Sequence, residues 1–122
     1  MIFMSKINID LKLTSSNEVI NKKISGIFNN NRIIYIDDNI KTTIILDEIL
    51  TLKRESKEYI INLIFDNNKS SEYILVDHNI KIPLNLKIVE IIRKNNYLKL
   101  KYQLDVQEEN SIYELELNYK KI

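Results

Sequence analysis

The chain has 122 residues, with 18 Lys+Arg against 17 Asp+Glu, one His and no Cys. That length corresponds to one domain, residues 1–122, which buries roughly two-thirds of its unfolded surface, so no disulfide or metal is needed to hold a core. A net charge of +1 lacks the footprint of a nucleic-acid binder, and the missing cysteine excludes a thiol nucleophile, a disulfide framework and cysteine metal sites.

No stretch approaches the ~20 apolar residues of a membrane helix, so no membrane partner is expected. Residues 1–9 lack the basic-then-apolar layout of a signal peptide, and together with the absence of cysteine this predicts a reducing, cytoplasmic setting. Residue usage is lopsided: 24 Ile, 16 Asn, no Ala, and Gly26 and Pro83 the sole members of their kinds. Ile is a stiff β-branched residue, Asn favours turns, and the best helix former is absent, so composition points to sheet.

Ten segments follow one another, each closed by a short polar turn. Residues 5–14 alternate Ile7, Ile9, Leu11, Leu13 with polar neighbours, and Ser15-Ser16-Asn17 ends the run. Residues 18–28 carry Ile20, Ile24 and Phe28, with Gly26 read as a bulge or a close backbone approach. Residues 32–37, 40–46, 49–55 and 58–66 follow, the last alternating Tyr59, Ile61, Leu63 and Phe65. Residues 71–77 end at His78-Asn79. In residues 80–93 the alternation slips near Val89, which predicts a β-bulge or bend. Residues 97–106 and 112–120 alternate again, joined by residues 107–110.

A period of two places one apolar face on each strand. Turns of two to four residues join only antiparallel neighbours, so consecutive segments pair in order. The prediction is an all-β, antiparallel, up-and-down β-barrel of eight to ten strands, favoured over two stacked sheets because no long connection is present.

Thr42-Thr43-Ile44, Asp47 and Leu50-Thr51-Leu52-Lys53-Arg54 resemble the middle of the YwiB-like family of small bacterial proteins. Leu98-Lys99-Leu100-Lys101-Tyr102-Gln103-Leu104 and the final alternating strand resemble its C-terminal hairpin. The resemblance implies a calycin-like (lipocalin-like) barrel of unknown function and supplies no catalytic residues. The chain departs from the family at Val76-Asp77-His78-Asn79, where a Thr-Pro-aromatic-Gly turn is often found.

Barrels of that kind often hold a small apolar ligand, and polar residues assigned to the inner stripes are its candidate anchors: Thr42, Arg54, Asn62 and Tyr102. The inner stripes are nearly all Ile and Leu, so an interior filled by these side chains is weighed ahead of a ligand cavity. Ile45, Ile60, Ile64, Ile74 and Val76 lie opposite core positions and are the candidate interface of a homodimer.

Other residues read as structure. His78, the sole group expected to titrate near neutrality, sits in a turn, where adjacent Asp77 would point away from it. Asp37-Asp38, Asp47-Glu48 and Glu108-Glu109 fall at strand junctions without the spacing of a calcium loop, so no metal and no cofactor is expected. Tyr97, Lys99 and Lys101 share a face, but Glu114 and Glu116 on the partner strand make a charge ladder the better reading than a nucleic-acid platform. The leading expectation for function is therefore a non-catalytic binding module holding a small apolar molecule. The rival is a structural or regulatory interaction protein with a filled barrel, and an enzyme comes third.

Overall fold

The computed structural model describes residues 4–106 and 109–122. Ten strands follow in chain order: β1 Met4–Ser15, β2 Glu18–Asn29, β3 Arg32–Asp37, β4 Ile40–Leu46, β5 Leu50–Glu55, β6 Tyr59–Ile64, β7 Ser71–Leu75, β8 Ile80–Lys94, β9 Tyr97–Val106 and β10 Glu109–Lys121. Each pairs antiparallel with its sequence neighbours, and β1 pairs with β10 from Ile7↔Lys121 to Ser15↔Tyr113, closing the barrel. Residues 107 and 108 lie outside the described residues, so Glu108 of the β9–β10 acid pair has no structural description.

Turn chemistry explains the sequential pairing. Asn30-Asn31 and Asp38-Asn39 hold both central residues at positive φ, between 50° and 64°, and Asn79 and Asn96 also stand there. Two successive positive-φ residues make the hairpin turn whose twist matches the flanking strands. Asn fills a place usually taken by Gly because its short polar side chain tolerates the left-handed region. Gly26 has no positive φ. It sits opposite Ile7 and Tyr35, where a Cβ would stand 2.8 Å from the Ile34 carbonyl oxygen, so the glycine serves close approach of two strands.

The inner face is aliphatic. Ile7, Ile33, Ile44, Leu100 and Leu117 are fully buried, drawn from five different strands. The register of β8 shifts between Ile88 and Glu90, leaving Val89 as the extra residue. Downstream of that bulge the odd-numbered positions Ile91 and Arg93 turn inward, opposite Leu100 and Leu98. On β1 the outward residues are Asn8, Asp10 and Lys12, so the apolar stripe of this strand faces in and its polar stripe out. No helix is long and apolar enough to cross a membrane among the described residues.

Candidate functional site

One inner row joins adjacent strands through Gly26↔Tyr35, Tyr35↔Thr42, Thr42↔Arg54 and Arg54↔Ile61. The ladder thus aligns the side chains of Tyr35, Thr42 and Arg54 on neighbouring strands. Tyr102 approaches from β9, its ring held edge-on to Phe65 at 5.4 Å and stacked on Tyr113 at 5.7 Å. These groups meet at one end of the barrel around a cavity of about 60 Å³. Leu11, Leu13, Leu52 and Leu115 form its apolar walls, and Asp37 completes the polar side.

That volume favours the filled interior over the ligand-holding cavity, the two alternatives the inner stripes left open. Sites for organic ligands run to roughly 300–1,000 Å³, whereas about 60 Å³ equals the liquid volume of about two waters. The cause is the composition of the inner stripes: with no Ala and one Gly, nearly every inward position carries a branched aliphatic or an aromatic ring. Among the described residues the inner rows pack against one another.

Thr42, Arg54 and Tyr102 come together at this mouth. Asn62 does not. It pairs with Lys53 and Glu72 on the outer wall, because Ile61 and Leu63 on either side of it face the interior. A strand with Ile on both faces disguised its phase, and the alternation of Ile61, Leu63 and Phe65 is the signal that assigns Asn62 outward.

Lys22, not among the sequence-derived candidates, and Asp37, expected only as a strand-junction acid, both lie on the inner face. Lys22 lies opposite Leu11, and its Nζ donates to Asp37 Oδ2 at 2.8 Å and to Asp38 Oδ2 at 3.2 Å. The β2–β3 ladder stops at Gly26↔Tyr35, so this ion pair spans the seam just where backbone pairing ends. Hydrogen bonds to Asp37 and then Asp38 hold the Lys22 ammonium above its ordinary pKa. Asp37 is therefore engaged by a cation, while among the described residues no carboxylate forms an ion pair with Arg54.

Burial pushes the Tyr102 phenol up to about 12, with the Arg54 guanidinium opposing the rise. Burial also raises Tyr35, opposed by the neighbouring Thr42 side chain and by the Arg54 guanidinium. Both phenols stay protonated near neutrality and remain hydrogen-bond donors beside a permanent cation. At the opposite end, Arg93 Nη1 donates to the Asp47 carbonyl and Nη2 to the Leu46 carbonyl, both at 2.8 Å, tying β8 to the β4–β5 turn.

On the outer wall, Ile60 pairs with Ile74 in a row flanked by Glu55 and Lys81, and Ile45 and Ile64 lie in a second row on either side of Thr51. The polar row Thr43, Lys53, Asn62, Glu72 runs between them. All four isoleucines are half-buried by these neighbours, and Val76 is exposed at the end of β7. An apolar outer groove that the sequence reading did not single out lies at Ile27, Ile34, Ile36 and Ile122. The run Ile33-Ile34-Tyr35-Ile36, apolar on both faces, was its signal.

Lys99 Nζ stands 3.1 Å from Glu90 and 3.2 Å from Glu114, the charge ladder expected of β9. His78 and Asp77 are both exposed in the β7–β8 turn. Among the described residues no group of three His, Asp or Glu side chains is placed to hold a metal ion.

No family model matches the chain, and no curated protein matches it. Among solved structures, the crystal structure of the YwiB protein from Bacillus subtilis aligns with a TM-score of 0.67 over 98% of this chain and 93% of that one, at 14% sequence identity. The likeness is one of fold, and it is the fold that the strand motifs at 42–54 and 98–104 imply.

Proposed function

We propose that this YwiB-like barrel is a non-catalytic binding module that takes a small molecule at the Arg54 mouth of an otherwise filled barrel. The observation that supports it is the contrast between the two parts of the interior. The inner rows are packed with Ile and Leu, while one end gathers a guanidinium, two phenols and a hydroxyl around open space. Donors converging on a rim open to solvent, with the exposed Arg54 guanidinium among them, are the arrangement that can fix the orientation of a small ligand.

The test is an NMR screen of the full chain against a mixed library of small neutral, anionic and cationic compounds. Hits that move the amides of residues 35, 42, 54 and 102 support the reading. Hits confined to the outer groove at Ile27 and Ile34, or none at all, overturn it.

A second reading is association through the outer wall, favoured by the Ile60↔Ile74 pair and by exposed Val76. Light scattering then reports a species twice 14.5 kDa, which Ile60→Lys returns to 14.5 kDa without unfolding. A single 14.5 kDa species in the unsubstituted protein removes this reading.

A further inference from the structure

Building on the mouth as the binding element, we infer that it recognises the carboxylate of a short-chain monocarboxylic acid, paired with Arg54 at the rim while the alkyl stub enters the leucine-walled cavity.

Three features select this class. First, Arg54 is exposed at the rim and has no carboxylate partner among the described residues, and its planar fork matches a carboxylate in two parallel hydrogen bonds. Thr42, opposite it in the ladder, and the phenols of Tyr35 and Tyr102 are further donors around the same space. Neither phenol presents a negative charge to repel the ligand.

Second, the charges already present limit the ligand to one negative charge. Of the charged groups lining the cavity, Asp37 is paired with Lys22, which leaves the Arg54 guanidinium as the charge there without an ion-pair partner among the described residues. A monoanion brings one excess charge against the uncommitted guanidinium. A phosphate dianion brings two, close to a carboxylate that lines the same cavity.

Third, size and polarity divide the site. A cavity of about 60 Å³ with Leu11, Leu13, Leu52 and Leu115 for walls admits a methyl or ethyl group and excludes a long chain. The acid therefore ends within a carbon or two of its carboxylate, or continues outward into solvent.

The experiment is a titration of the isotope-labelled full chain at fixed ionic strength with propionate, propionamide and inorganic phosphate in turn. Propionate should give saturable shifts at residues 35, 42, 54 and 102. The dissociation constant should rise roughly tenfold or more in Arg54→Gln, because a charge-assisted pair is lost. Arg54→Lys, which keeps the charge without the fork, should fall between the two, and it serves should Arg54→Gln not fold. Tyr102→Phe should weaken propionate several-fold.

Equal binding of propionamide would overturn the ion pair while leaving the mouth as the binding element. Preference for phosphate would overturn the carboxylate class with the same consequence. Failure of all three to move the mouth overturns the inference. If the mixed library moves those amides, the mouth reading survives that failure; if the library is silent there as well, both fall.

Discussion

Replacing Gly26 with alanine probes the tightest point of the barrel wall. A Cβ at this position meets the Ile34 carbonyl oxygen at 2.8 Å, Ile9 Cδ1 at 2.8 Å and Tyr35 Cβ at 3.4 Å. The Ile9 methyl can swing aside, but the Ile34 carbonyl belongs to the backbone of β3 and moves only with that strand. Overpacking of this kind costs about 1–3 kcal/mol. Because φ is not positive at Gly26, alanine also gains about 0.4–1 kcal/mol by restricting the unfolded chain. The net expectation is a loss centred on about 1 kcal/mol, or roughly 4 °C in Tm for a domain of this size. Thermal unfolding followed by circular dichroism measures it. Ile9→Val on the alanine background removes the methyl clash and should recover only part of the loss, since the carbonyl contact persists. An alanine variant as stable as the parent would refute the close-approach argument, and with it the reason for the single glycine.

The turn at Asn30-Asn31 should respond in both directions: Asn31→Gly raises stability by a few tenths of a kcal/mol, and Asn31→Ala lowers it by about 1 kcal/mol, because alanine pays for positive φ. Denaturant midpoints check both. Alkaline pH supplies another test. Tyr102 ionises near its usual 10.0 when unfolded and near 12 when folded, so the unfolded state binds fewer protons across that window and stability falls as pH rises through it. Tyr102→Phe should flatten the stability profile between those values, and an unchanged slope would contradict the buried placement of the phenol.

Much of the wall was legible in the sequence because the signals were local. A two-residue period fixes which side chains share a face, Asn pairs fix the turns, and the slip beside Val89 fixes the bulge, each within a few residues. The mouth was only half legible. Thr42, Arg54 and Tyr102 follow from strand phase, since each lies two positions from a core residue. Lys22 stands outside the sequence-derived candidates, and Asp37 reads only as a turn acid, for the same reason in reverse. Lys22 stands midway between Ile20 and Ile24, and Asp37 two beyond Tyr35, so both occupy inner positions, yet a charged residue there reads as an interruption of the pattern. Their partnership is set by where the β2–β3 ladder ends, which depends on the length of the shorter strand and on no single residue. Asn62 was misplaced because Ile60, Ile61 and Ile64 surround it on both faces. The volume of the lumen was legible only as a choice between filled and hollow, because it depends on how ten inner stripes interdigitate.

The central claim, a barrel packed with Ile and Leu and carrying a small polar mouth at the Arg54 end, is tested most directly with a neutral apolar fluorophore, N-phenyl-1-naphthylamine, titrated into the native protein. A filled interior predicts no saturable one-to-one rise in fluorescence. Stoichiometric binding that is lost when Ile44 is changed to Phe would show a hollow lumen and contradict the account.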